Sequence, residues 1–283
     1  MNVWISFSKD TRRKKLNTIG ETRWWAKDVV LKKVFGNFAN PKDGLYVELI
    51  LTLQYFATSI NFQPNIRIKA KSFLDSLIKY EIVFTAELFL QIFDITTPIS
   101  NYLQERSIDF IKAHPMVMNA IKLLKDISQK FNVVKNSADV FVNYVNNKLD
   151  EMQCDVEVEH TLPDIRIRKR KQMDSGETTD EPVRDSFKRY EISNYNHILN
   201  TAIQSMENRF TKNQLFYNDF ACLHPKNFSE NTPENAFQKL SSILIQFNPE
   251  ATQHNIISEL QHFKTSWNIL KENVSETHQI KRK

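Results

Sequence analysis

FNVVKNSADVFVNYVNNKLDEM, residues 131–152, places apolar side chains at Val134, Ala138, Phe141, Val145, Leu149 and Met152, at intervals of three and four. That spacing lays one apolar stripe along an α-helix and leaves the intervening Lys, Asp and Asn on the opposite face. The same period runs upstream through Val117, Ile121, Leu124, Ile127 and Phe131, and through Phe84, Leu88 and Ile92. Helices are therefore expected near 24–38, 43–60, 67–95, 108–130 and 133–152, with 67–95 read as two helices or as one with a bend. Pro41, Pro64, Pro98 and Pro115 punctuate the pattern, and each is read as ending a helix or opening the next, where a missing amide costs least.

Residues 154–187 break the period. Pro163, Gly176, Pro182 and the DSGETTDEP run predict a mobile linker, within which Val156, Val158, Ile165 and Ile167 alternate as a brief hairpin or edge strand would. Helical spacing resumes at Tyr195, Leu199, Ala202, Met206 and Phe210. Thr232 before Pro233 and Glu234 is a helix start, because the hydroxyl caps free amides and Pro in the first turn has none to leave unpaired. Phe237, Leu240, Leu244 and Phe247 form that helix's stripe. A last helix carries Ile256, Leu260, Phe263, Trp267, Leu270 and Val274, and at fewer than three heptads it reads as a packed helix more readily than as a coiled-coil seam. The expected fold is mainly α, with a helical body over 1–153, a basic and acidic linker over 154–187 and a second helical group over 188–283.

Composition narrows the function. The 283 residues are 41% hydrophobic and 25% charged, enough for a true core. Four glycines, each standing alone, leave no material for a phosphate-cradling GxGxxG or GxxxxGK loop. Two cysteines, Cys154 and Cys222, cannot build a disulfide framework, which favours a reducing intracellular setting. The start, MNVWISFSKDTRRKKL, does not read as a signal peptide, and no stretch approaches 18 uncharged apolar residues, so no membrane association is expected. Metal chemistry finds no HExxH, HxH or CxxC among the seven histidines and two cysteines. Cys222 with His224 offers two ligands where a site needs three or four, and no metal or cofactor is expected. Asp155, Glu157 and Glu159 would share one face of an extended segment, which reads as a solvated edge; nothing places a Ser on a strained GxSxG turn.

Charge is concentrated at the beginning. Residues 1–35 hold nine Lys and Arg against three acidic side chains, whereas the whole chain carries a net +5. Within that stretch LNTIGETRWWAKDVVLKK, residues 16–33, joins Arg23, Trp24 and Trp25 to Lys27, Lys32 and Lys33 at a loop-to-helix junction. An indole face beside cations suits an unpaired base with its phosphates, so these residues are candidate DNA contacts. The same residues also read, and from spacing alone read more readily, as a Trp that anchors the helix in the core beside an Arg that meets a neighbouring carboxylate. A second basic knot, Arg166, Arg168, Lys169, Arg170 and Lys171, is a candidate nuclear-import patch or simply solvated surface.

Segment 16–33, with TRW at 22–24, resembles the region shared by the hAT superfamily of DNA transposases and their host-domesticated relatives, the zinc finger MYM-type-like proteins and the repressors of the inhibitor of protein kinase among them. ITTPISNYLQ at 95–104 is similar to the family's PLSxYLQ helix, AHPMV at 113–117 to the segment after it, YNHILNTAIQSMENRF at 195–210 to its VFNxIIDxxIxxLxxRF run, and CLHPKNF at 222–228 to the stretch that follows. These matches keep the family's order across most of the chain; Lys27 departs from the Arg common in relatives.

The resemblance implies the large helical insertion of a transposase whose RNase H-like core is largely missing from this chain. It implies Trp24 as the residue that stacks on a flipped base at a hairpin-forming DNA flank, with Arg23 as its DNA-contacting neighbour. The family's catalytic acids, its N-terminal zinc finger and its C-terminal dimerisation segment find no counterpart here. The expectation is accordingly a transposase-derived fragment without catalysis, nuclear, associated with DNA or with other proteins, and not self-associating through that segment. A helical protein-interaction module without nucleic-acid binding is the alternative.

Overall fold

A computed structural model describes residues 24–105, 110–164, 184–210, 219–247 and 252–280, which are predominantly α-helical and contain no β-strand. In chain order the helices are α1 (Trp24–Phe35), α2 (Tyr46–Thr58), α3 (Pro64–Leu77), α4 (Tyr80–Tyr102), α5 (Phe110–Ser128), α6 (Phe131–Glu151), α7 (Ser186–Tyr190), α8 (Asn196–Phe210), α9 (Pro233–Phe247) and α10 (Gln253–Ile280). They fall into two units, 1–106 with 119–205 and 107–118 with 206–283. The periodicity thus predicts the helices well, but the division differs from a cut at the linker, because 188–205 packs with the preceding body.

In the first unit α4 packs against α1 and α6, and α2 against α3. Phe35, Tyr46 and Phe141, from α1, α2 and α6, meet with ring centroids 5.1–5.4 Å apart. A second aromatic centre surrounds Phe84 of α4: Tyr190 stacks on it at 4.8 Å, and Phe131 and Tyr195 close around it. Tyr190 and Tyr195 are five residues apart and both buried. An α-helix would turn them away from one another. A π-turn at Glu191–Tyr195, between α7 and α8, brings both to the same side. Tyr195 Oη then donates to the Ile127 carbonyl at 2.7 Å, and Tyr190 Oη shares a 2.6 Å hydrogen bond with Thr85, while burial pushes the Tyr190 hydroxyl pKa up to about 12.

Of the two alternatives expected over 67–95, the structure has two helices, and the break has a cause. Exposed carbonyls at the end of α3 are satisfied from afar: Tyr46 Oη donates to Leu77 O at 2.5 Å and the Glu159 amide to Ile78 O at 2.8 Å, while Lys79 turns extended. Pro98 and Pro115, read as helix boundaries, instead lie inside α4 and α5. The cost of an internal proline, about 3 kcal/mol, is offset by the apolar residues that the uninterrupted helices bury around each, Phe93 and Ile99 in α4, Ala113 and Val117 in α5.

Residues 154–164, expected as the start of a mobile linker with a strand, form a strap without strand structure. Asn146 of α6 holds Val158 through two hydrogen bonds, of 2.9 and 3.0 Å, and Val158 and Leu162 are buried. Asp155, Glu157 and Glu159 alternate outward and are exposed, as their spacing predicts. Ile165, Ile167 and the basic knot 166–171 lie outside the described residues.

By length and composition α4 is apolar enough to cross a membrane, although Glu81, Glu87 and Asp94 interrupt its apolar run. Half of it is buried against neighbouring helices, and it carries the buried Glu87, as a core helix does.

In the second unit Thr232 starts α9 as its sequence predicts, with Oγ1 3.3 Å from the Asn235 amide. Cys222, Ala236 and Leu240 form a small core, flanked by Phe220, Leu223 and Leu260. Phe228, Phe263 and Trp267 make edge-to-face and tilted ring contacts beside it.

Candidate nucleic-acid interface

The motif helix α1 is fixed at its C-terminal end by the chain that follows it. Leu45 returns to donate its amide to Lys33 O at 3.0 Å, so the loop 36–44 doubles back on the helix end. That return needs Gly36 at φ +83°, where a Cβ would stand 2.6 Å from Asn40 O, and Gly44, where it would stand 2.7 Å from Val34 O. Ala39, also at positive φ, donates its amide to Ser137 Oγ at 3.0 Å, and Ser137 donates to the buried Glu87 carboxylate at 2.6 Å. Burial raises the Glu87 pKa, against the lowering effect of the hydrogen bonds that its carboxylate accepts from Ser137 and from the Ala39 amide.

The sequence-predicted cations separate into different roles. Lys27 is exposed. Lys33 is half-buried and engaged. Lys32 lies between two carboxylates, 3.1 Å from Asp28 Oδ1 one turn earlier and 2.7 Å from Asp94 Oδ1 of α4. Burial opposes its charge, but the hydrogen bonds to Asp94 and Asp28 outweigh that and raise its pKa. Among the described residues Gln91 Oε1 and Thr97 Oγ1, one turn either side of Asp94, are buried without hydrogen-bond partners. Trp24 opens α1, and helical period puts position 24 on the same row as buried Asp28 and Phe35. Arg23 lies outside the described residues, as do Arg166, Arg168, Lys169, Arg170 and Lys171.

Other candidate chemistry has structural occupants. Cys222 is buried, its thiol donates to Asp219 O at 2.8 Å, and desolvation raises its pKa; Cys154 is likewise raised by burial and meets Gln54 Oε1 at 2.6 Å. Neither is a poised thiolate. Among the described residues no three His, Cys, Asp or Glu converge as metal ligands would.

Two features were not legible beforehand. Asp94 is isolated in sequence from the motif it meets. A groove of about 170 Å³ opens between the first turn of α4 and 186–194, lined by Glu81, Pro163, Arg189, Ser193 and Asn194. Its charged groups already hold protein partners: Arg189 Nη2 donates to Pro163 O at 3.1 Å and Asn194 Nδ2 to Glu81 Oε1 at 2.9 Å. The π-turn that shapes it has no sequence signature beyond the spacing of Tyr190 and Tyr195.

No family model, curated protein or solved structure matches the chain.

Proposed function

We propose that this chain derives from the helical insertion of a hAT-type transposase and associates with DNA through the start of α1, binding a strand without cutting it, in the nucleus. The observation that carries this reading is the ordered set of motif segments beginning with TRW at 22–24, together with the +6 balance of residues 1–35 that surrounds it. An exposed Lys27 one turn into the helix adds a cation on the outward side. Stacking would supply preference for an unpaired base, and the lysines a salt-dependent attraction to phosphates.

The test pairs affinity with stability. Trp24→Ala should cost about 1–3 kcal/mol on a hairpin-flank DNA with an unpaired base and little on fully paired DNA, with the denaturant midpoint nearly unchanged. A Trp24 that serves the core predicts the reverse: several kcal/mol of folding stability lost, and equal loss of affinity on both DNAs.

A second reading is favoured by a different observation. Ile66 and Phe73, two turns apart on one face of α3, are 42% and 63% exposed, a surface suited to another protein. Replacing Ile66 and Phe73 with Asp should leave DNA affinity unaltered on the first reading and abolish partner binding on the second.

A further inference from the structure

Between Glu48 and Asp75 the chain carries Arg67, Lys69 and Lys71 and no acidic residue. That stretch forms most of α2 and α3, and on α3 it joins a cation to apolar surface. Ile66 and Phe73, seven positions apart, stand within about 20° of one another around the helix axis and about 10 Å apart along it, with Lys69 between them. All are exposed. Asp75 stands about 120° or more around the helix from each. Arg67 is turned back toward α2, its Nε donating to Ala57 O at 3.4 Å, so the cation of this row is Lys69. Among the described residues Lys32, Lys148 and Lys188 hold ion pairs with carboxylates, and Lys69 holds none.

A lysine set between two apolar side chains selects its occupant. Duplex phosphates offer nothing to Ile66 and Phe73, and a membrane that took up both would draw Lys69 toward hydrocarbon with them, which its charge resists. An amphipathic helix with a carboxylate between two apolar side chains satisfies the whole row, because it covers Ile66 and Phe73 and pairs the ammonium. Resting on the protein-surface reading of α3 above, we infer that the Ile66–Lys69–Phe73 row docks an acidic amphipathic helix of a partner protein, with apolar side chains two turns apart and a Glu or Asp between them.

The full chain is titrated with a fluorescent synthetic helical peptide carrying Leu two turns apart with Glu between them. The same peptide with Lys for Glu, phosphatidylserine vesicles and duplex DNA are the comparisons. The acidic peptide should bind, and the basic one about tenfold more weakly. Lys69→Glu should reverse that preference, which loss of folded protein cannot do, since it lowers both affinities alike. Phe73→Asp should abolish binding of either peptide with the denaturant midpoint nearly unchanged, because the side chain is exposed. Ile68→Asp, about 140° or more around the helix from Ile66 and Phe73, should leave both affinities as they are. Equal affinity for the two peptides, lost in Phe73→Asp, overturns the inference and leaves the protein-surface reading standing. No binding of either peptide, or binding that Phe73→Asp does not weaken, overturns both. Binding of vesicles or duplex DNA that Lys69→Glu weakens, in a chain that binds neither peptide, overturns both in favour of a lipid or phosphate surface.

Discussion

The two units bury different materials. Around Phe84 the first unit gathers Tyr80, Phe131, Tyr190 and Tyr195, contributed by α4, α6 and the chain beyond the strap, and each tyrosine hydroxyl finds a hydrogen bond: Tyr80 to Asp139 at 2.6 Å, Tyr190 to Thr85, Tyr195 to Ile127 O. The second unit centres on Cys222, Ala236 and Leu240, and the ring of Phe263 beside it stays 36% exposed. Wide rings from distant parts of the chain lock many elements at once, whereas small side chains between neighbouring helices close a core that can relax. Cost of truncation should therefore fall from the first unit to the second, although both are helical and both are predicted by the same periodicity.

The sharpest way to break that contrast is Phe84→Ala, expected to cost about 3–5 kcal/mol because the surrounding rings, tied by their hydroxyls, cannot collapse into the void. Hydrogen exchange in α4 and α6 measures it, and a loss below that of the second unit's substitution would erase the distinction. Leu240→Ala should cost about 2 kcal/mol, the low end for such a change, since its neighbours are small and partly exposed. Trp267, the tryptophan of 206–283, reports it by fluorescence during urea unfolding.

Smaller effects sharpen the account of how α1 is fixed. Gly36→Ala places a side chain at φ +83° against Asn40 O, and about 1 kcal/mol or more of first-unit stability should be lost, seen in the same exchange experiment. A stabilised variant would mean that the 36–44 return does not hold as described. Least in size, but of definite sign, is the pH response of Glu87. Its folded pKa is raised above the ordinary value of 4.5, so the folded state holds the proton more tightly than the unfolded chain does. Its contribution is fully present below about pH 4.5 and is lost as pH rises through the folded pKa. Glu87→Gln keeps an acceptor for Ser137 and removes that loss, so urea midpoints of variant and parent should diverge as pH rises from 4 toward neutrality, with the variant the more stable. Divergence in the opposite direction would show a carboxylate held charged by its hydrogen bonds.

Helix existence was legible because the stripes answer to the local period: Val134, Ala138, Phe141, Val145 and Leu149, chosen by spacing alone, are all buried on α6, whereas Met152, the last of that series, lies just past the helix end and is 42% exposed. Boundaries were less so. Pro98 and Pro115 looked like stops because a missing amide is a local cost, and the apolar packing that offsets it is nonlocal. At the candidate site the charge cluster was visible, but Lys27 and Lys32 are the same residue type five positions apart, and nothing in the run distinguishes an exposed lysine from one held by Asp94. The first part of the 154–187 segment resembled a linker because it is poor in apolar residues; Val158 and Leu162 suffice to pin it once Asn146 supplies both a donor and an acceptor.

The sequence by itself determined a mainly helical chain, the inward faces of its long helices, the Thr232 cap and the basic concentration at 1–35, since period, capping chemistry and charge are properties of neighbouring residues. Tertiary structure alone decided that α3 ends at Leu77, that a π-turn sets Tyr190 and Tyr195 on one side, and that Lys32 is bound between Asp28 and Asp94. Those outcomes depend on groups 31, 68 or more than 100 positions away, such as Tyr46 on Leu77, Tyr195 on Ile127 and Tyr190 on Thr85, or on Asp94, 62 positions from Lys32. A hydroxyl, a ring or a carboxylate brought close by packing changes which backbone group is satisfied and which charge is neutralised, and no local pattern encodes that meeting.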